Sequence, residues 1–157
     1  MRAGASEMEG EMESAQDAPS IQSGNEPDRR ARNPLEVLQQ RFGLTDFRAG
    51  QSAVIDRLLV GKNVAAVFPT GGGKSLCYQL PSQLFSGTTV VVSPLIALMK
   101  DQCDALASCG IDAVRLDSSM PAREFGAAMA SIREGRIKLL YVAPERFFNE
   151  RFLATVE

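Results

Sequence analysis

The sequence predicts a three-layer α/β domain, a parallel sheet covered by helices on both faces. Short apolar runs alternate with helical patterns along much of the 157-residue chain. The runs are apolar at successive positions, as strands buried on both faces are. One of them leads through Phe68-Pro-Thr-Gly-Gly-Gly-Lys-Ser75 into a helical pattern, a strand, loop and helix in the order α/β domains use.

Residues 1–32 stand apart. They are rich in acidic and small residues, contain two prolines and no aromatic side chain, and show no apolar periodicity, so a disordered acidic tail is expected there. The ordered domain is expected over 33–157. Asn33 can cap a helix, Pro34 suits its first turn, and Glu36 completes a capping-box arrangement before Leu35, Val37, Leu38 and Phe42. Gly43 stops that helix. A second helix, with Val54, Ile55, Leu58 and Leu59 on its apolar face, is expected over 49–60 and ends at Gly61.

Beyond Gly61, strands are expected over 64–68, 89–93, 113–116 and 138–143, with helices over 74–84, 95–108 and 121–134 between them. A last amphipathic stretch, 146–156, runs into the C-terminus without a stop signal, so the domain is expected to be cut short there. No internal repeat is visible.

Charge and cysteine usage narrow the classes. The stretch to Asn33 holds seven acids against four bases, leaving twelve against thirteen in the rest, so the acidic total comes from the tail. A near-neutral body neither suggests nor excludes a nucleic-acid partner. The three cysteines, Cys77, Cys103 and Cys109, have no CxxC spacing and the chain has no histidine, so reduced cytosolic thiols are expected rather than a zinc site. No basic start precedes an apolar block, and no run approaches the ~20 apolar residues of a membrane helix. A cytoplasmic protein without a membrane partner is expected.

The glycine-rich loop carries the chemistry. Between a strand end and a helix start, backbone amides converge and the helix dipole favours an anion. Gly71, Gly72 and Gly73 can bring their amides up to phosphate oxygens without a Cβ in the way. Lys74 can then reach the β and γ phosphates of a nucleotide, and the Ser75 hydroxyl can complete the shell of a Mg²⁺ ion. The usual phosphate-loop spacing has a glycine where this chain has Phe68, so the match is incomplete.

The stretch Phe68-Pro-Thr-Gly-Gly-Gly-Lys-Ser-Leu-Cys-Tyr-Gln-Leu-Pro81 resembles the RecQ family of superfamily-two DNA helicases, whose loop typically reads PTGGGKSLCYQLP and also lacks the first glycine. The resemblance extends from about Leu38 to the end. It implies a RecA-like domain using ATP and Mg²⁺, with Thr70, Gly71, Gly72, Gly73, Lys74 and Ser75 around the phosphates and Lys74 and Ser75 as the catalytic pair. Phe42-Gly-Leu-Thr-Asp-Phe-Arg-Ala-Gly-Gln51 is similar to the family's adenine-recognition motif. Gln51 is then the adenine reader, its amide matching the base's donor and acceptor. Arg48 lies against the ring or near a phosphate, and Leu44 gives an apolar contact where many members stack an aromatic.

Val91-Val-Ser-Pro-Leu-Ile-Ala-Leu-Met-Lys-Asp-Gln102 is similar to the family's motif Ia, which lines the single-stranded DNA path. Ser93 and the amides around Pro94 and Leu95 can hold a DNA phosphate, with Lys100 adding charge. An ordinary strand, proline stop and amphipathic helix would look the same. RNA helicases of the DEAD-box type usually read PTRELA here. Tyr141-Val-Ala-Pro-Glu-Arg146 is similar to motif Ib, with Pro144, Glu145 and Arg146 facing the strand, and Ser119 sits where the family tends to have another small polar phosphate contact. A solvated helix start and a serine cap before Pro121 remain the alternatives.

The acidic motif of the family, DEAH, is missing: the chain has no Asp-Glu dipeptide and no histidine. The resemblance therefore covers roughly the first two-thirds of one motor domain, without the second motor domain or the C-terminal modules. It implies the N-terminal part of an ATP-dependent 3′→5′ helicase that acts on single-stranded and forked DNA in repair and recombination, with the isolated piece inactive. Two other classes stay open. An unrelated phosphate-loop NTPase has no reason to carry Arg48 and Gln51 with SPLIALMKDQ, and a nucleic-acid-binding remnant would bind DNA without nucleotide.

Overall fold

The computed structural model describes residues 33–149 and 152–154. The tail expected over 1–32 and part of the last amphipathic stretch lie outside them. Helix α1, Pro34–Phe42, opens as its sequence predicts: the Asn33 side chain accepts from the Leu35 amide, and Gly43 closes it in the left-handed region at φ 65°. Helix α2, Gln51–Leu59, follows after Gly50 at φ 82°. Helix α3, Leu76–Ser82, is the first element after the glycine loop. The buried Val37, Leu38, Ile55, Leu76 and Leu80 join these three helices in one apolar cluster.

The sheet is built from β1, Thr89–Val92, β2, Ala113–Leu116, and β3, Leu139–Val142, all parallel in the order β1-β3-β2. Helices α4, Ile96–Ser108, and α5, Ala122–Arg133, form the crossovers. Period-two alternation along β3 divides the core between two faces. Leu139 and Tyr141 pack with Met99 and Leu106 of α4, whereas Leu140 and Val142 pack with Ala128 and Met129 of α5. Three layers result, as the sequence predicts, and the whole of β3 is buried.

Two expectations are corrected. Residues 64–68 form no strand: no strand pairs with them among the described residues, and Val67 is 99% exposed. A strand needs a neighbour for its amides and carbonyls, and apolar composition cannot supply one. Helix α3 is shorter than the expected 74–84, because the amides of Leu76 and Cys77 bond back only three residues, to Gly73 and Lys74, in tight turns. Among the described residues, the last amphipathic stretch, 146–156, holds the end of a 3₁₀ helix, Pro144–Phe148, and a helical turn at 152–154. Asn149 interrupts it with an extended backbone, and its side-chain oxygen accepts from the Phe152 amide, restarting the turn.

Candidate functional site

The glycine loop is a self-contained knot of hydrogen bonds. Gly71 and Gly73 sit at φ 76° and φ 75°, where only glycine is comfortable. At Gly72 a Cβ would lie 2.9 Å from the Pro69 carbonyl oxygen, and at Gly73 a Cβ would lie 2.4 Å from Gln51 Nε2. All three positions thus require glycine by their geometry, the last also because a side chain from another element fills the space.

That side chain comes from the first turn of α2. Gln51 is buried, its Oε1 accepts from the Arg48 amide at 2.9 Å, and its Nε2 donates to the Gly73 carbonyl at 3.0 Å. The Arg48 guanidinium donates to the Gly71 carbonyl at 2.6 Å. The exposed Lys74 turns its Nζ back onto the carbonyls of Pro69 at 3.1 Å and Phe68 at 3.4 Å. The structure therefore brings together Arg48, Gln51, Gly71, Gly73 and Lys74 from segments more than twenty residues apart in the chain. Thr70 is exposed in the same turn, and Leu44 is 45% exposed on the approach to α2. Ser75 is half-buried before α3 and makes no capping hydrogen bond with its hydroxyl.

These groups fit a polyphosphate and a divalent cation. The glycine cradle leaves the loop amides unobstructed by Cβ atoms, a single lysine charge stands at its mouth, and the Ser75 hydroxyl is uncommitted as a cap.

The second group of predicted residues lies at the carboxyl ends of the strands. Ser93 directly follows β1, where its amide donates to the Val142 carbonyl and its hydroxyl accepts from the Leu95 amide at 3.2 Å. Pro94, Leu95 and Lys100 are exposed around the start of α4. Pro144 and Glu145 are exposed at the start of the 3₁₀ helix after β3. Ser119 and Arg146 meet at a residue that motif reading missed, Asp117.

Asp117 follows β2 with its side chain fully buried. Its carboxylate accepts from the amide and hydroxyl of Ser119 and pairs with the Arg115 guanidinium, while its backbone carbonyl accepts from Arg146. Arg146 also lies over the Phe125 ring at 4.9 Å. Burial alone would raise the Asp117 carboxyl, but the Ser119 hydrogen bonds and the Arg115 charge outweigh it and hold the group below the usual carboxylate range. Ser119 and Arg146 are thus oriented by an internal ion cluster. The signal in the sequence was an aspartate ending an apolar strand and followed by Ser-Ser, the pattern of a side chain that bonds its own backbone two residues on.

A parallel α/β sheet with a glycine loop ending in Lys-Ser, clamped by a buried glutamine, is the architecture of a phosphate-loop α/β domain. Residues 48–156 match the DEAD/DEAH box helicase family, and the chain belongs to that family. The resemblance to RecQ is borne out by its relatives. The chain is 43% identical over 122 residues to ATP-dependent DNA helicase RecQ of Bacillus subtilis, covering 77% of this chain and 21% of that protein. It is 48% identical over 118 residues to the protein of the same name from Pasteurella multocida, covering 75% and 19%. The chain spans about a fifth of the length of these curated relatives. Among solved structures, a hypothetical ATP-dependent RNA helicase from Sulfolobus tokodaii shares the fold, with a TM-score of 0.59 at 23% identity over 78% of this chain and 37% of that one.

Proposed function

We propose that this chain is the N-terminal part of an ATP-dependent DNA helicase, a partial RecA-like motor domain that binds ATP with Mg²⁺ and single-stranded DNA. The observation that carries the reading is the clamp of Gln51 and Arg48 on the glycine loop, which ties the start of α2 to the loop that would cradle phosphate. To read the base, the Gln51 amide exchanges its bonds to the Arg48 amide and the Gly73 carbonyl for the base edge, Arg48 and Leu44 flank it, and Thr70 to Ser75 hold the phosphates. Lys74 leaves the Pro69 and Phe68 carbonyls to meet the β and γ oxygens, a stronger, charge-assisted partner. Ser75 would hold the metal, which neutralises phosphate charge when bound.

Ser93, Pro94, Leu95, Lys100, Ser119, Pro144, Glu145 and Arg146 form the DNA-facing edge, engaging phosphates rather than bases. The names of the relatives support DNA as the substrate class. In the longer protein we propose 3′→5′ unwinding of forked DNA during repair and recombination, in the cytoplasm. The 157 residues alone are expected to bind nucleotide without turnover, since they hold no Asp-Glu pair to position water.

The test is equilibrium binding of a fluorescent ATP analogue with Mg²⁺, and of a fluorescein-labelled oligo-dT, to this chain. Saturable nucleotide binding that competes with ATP better than GTP supports the reading. Binding unaffected by Lys74→Ala, or hydrolysis that disappears in that variant, would overturn its nucleotide or its no-turnover part respectively.

A further inference from the structure

Gln79 lies on α3, one turn after Ser75, and is buried. Its Nε2 uses both protons on partners from other elements: Oε1 of Gln102 on α4 at 2.8 Å and the Tyr141 hydroxyl on β3 at 3.2 Å. Tyr141 in turn donates to the Tyr78 hydroxyl at 3.5 Å, and the two rings meet edge to face at 6.3 Å. A buried polar network of this kind adds little net stability over an apolar replacement, but it holds its members in one register.

The register it holds matters. Helix α3 packs chiefly on α1 and α2, so its link to the sheet layer runs through Tyr78 and Gln79 rather than through a broad apolar face. Helix α4 begins at the Ser93–Leu95 turn, and β3 runs directly into Pro144–Arg146. One amide therefore touches the helix that leaves the glycine loop and both elements that end at the candidate DNA edge. The loop carbonyls are held by Lys74, Gln51 and Arg48, so a phosphate that draws Lys74 away from the Pro69 and Phe68 carbonyls acts on the segment from which α3 starts.

We infer that Gln79 is a positioning residue which, through Gln102 and Tyr141, couples occupancy of the glycine loop to the affinity of the strand-end surface for single-stranded nucleic acid. The inference rests on the nucleotide and DNA reading above. It assigns a coupling free energy to a contiguous hydrogen-bonded unit with two ligand-facing ends, and such coupling is reciprocal.

The experiment measures oligo-dT affinity by anisotropy with and without a saturating non-hydrolysable ATP analogue and Mg²⁺. The unaltered chain should change affinity by about fivefold or more between the two conditions. In Gln79→Leu and, independently, in Gln102→Leu, the ratio should fall to about one while each separate affinity changes little. Tyr78→Phe, which removes only the long 3.5 Å contact, should keep the ratio. The chain's two tyrosines both lie in the network and it has no tryptophan. Ring-labelled tyrosine NMR therefore reads this unit alone, and the analogue should shift the Tyr141 ring in the unaltered chain and not in Gln79→Leu.

A ratio of one in the unaltered chain, or an undiminished ratio in both leucine variants, overturns the coupling while leaving the binding sites standing. Failure of both ligands to bind overturns the underlying reading and the coupling with it. If Gln79→Leu does not fold, Gln102→Leu decides.

Discussion

Gln51 and Gly73 are bonded to each other across the site: the buried amide of Gln51 donates to the Gly73 carbonyl at 3.0 Å and fills the space where a Cβ would sit. The start of α2 and the glycine loop consequently behave as one unit, and the predictions for this region follow from that bond.

Gln51→Ala should cost stability as well as selectivity. It removes two hydrogen bonds from a buried position and leaves the Gly73 carbonyl unpaired, which is about 1–3 kcal/mol. Urea unfolding should show a lower midpoint at unchanged slope, and the preference for ATP over GTP should narrow. Equal loss of both nucleotides with an unchanged midpoint would contradict the clamp and the adenine role together.

Lys74→Ala should behave in the opposite way. Its ammonium is exposed and bonds only to carbonyls of its own loop, so the fold should hold within about 0.5 kcal/mol. Nucleotide affinity should drop by about 2–3 kcal/mol, the worth of charged hydrogen bonds, read as roughly 30- to 150-fold in Kd. Circular dichroism separates this from unfolding.

Asp117→Ala should destabilise the chain by about 3 kcal/mol at neutral pH, because it leaves Arg115 charged and unpaired beside a buried site. The folded-state carboxyl titrates below its ordinary value, so its contribution is complete above the ordinary range near ~3.9 and fades as pH falls through the lowered folded value. The gap between the two proteins in urea midpoint should therefore be constant from pH 7 to about 5 and close in acid. A gap that widens on acidification would show that the carboxylate is not held by Ser119 and Arg115.

Amides of 64–68 should exchange with deuterium in the earliest time points, whereas those of β3, Leu139–Val142, should be among the slowest in the chain. Among the described residues the first group has no strand partner, and the second is buried between two neighbours. Protection at Val67 equal to that at Leu140 would mean that residues 64–68 pair in solution.

Most elements were legible in the sequence because their signals are local. Asn33, Pro34 and Gly43 specify both ends of α1 by capping and turn chemistry. The apolar runs at 89–92, 113–116 and 139–142 all form strands, although only the last is buried on both faces and β1 exposes Val90 and Val92, and the glycine-Lys-Ser loop needs only its own backbone to be recognised. Arg48 and Gln51 came instead from the resemblance to the RecQ family's adenine-recognition motif, since no local pattern ties them to the loop they contact.

What the sequence by itself determined was this set of elements, their three-layer class and the identity of the loop. The tertiary structure alone decided which partners they meet. Residues 64–68 have strand composition and no strand, because pairing is supplied by a neighbour and not by the segment. Gln79 looks like an unremarkable polar position until folding removes water from around it and brings Gln102 and Tyr141 within hydrogen-bonding reach. Burial then makes those bonds obligatory, since an unpaired polar group away from water is costly, and no local pattern encodes which distant side chain will answer it.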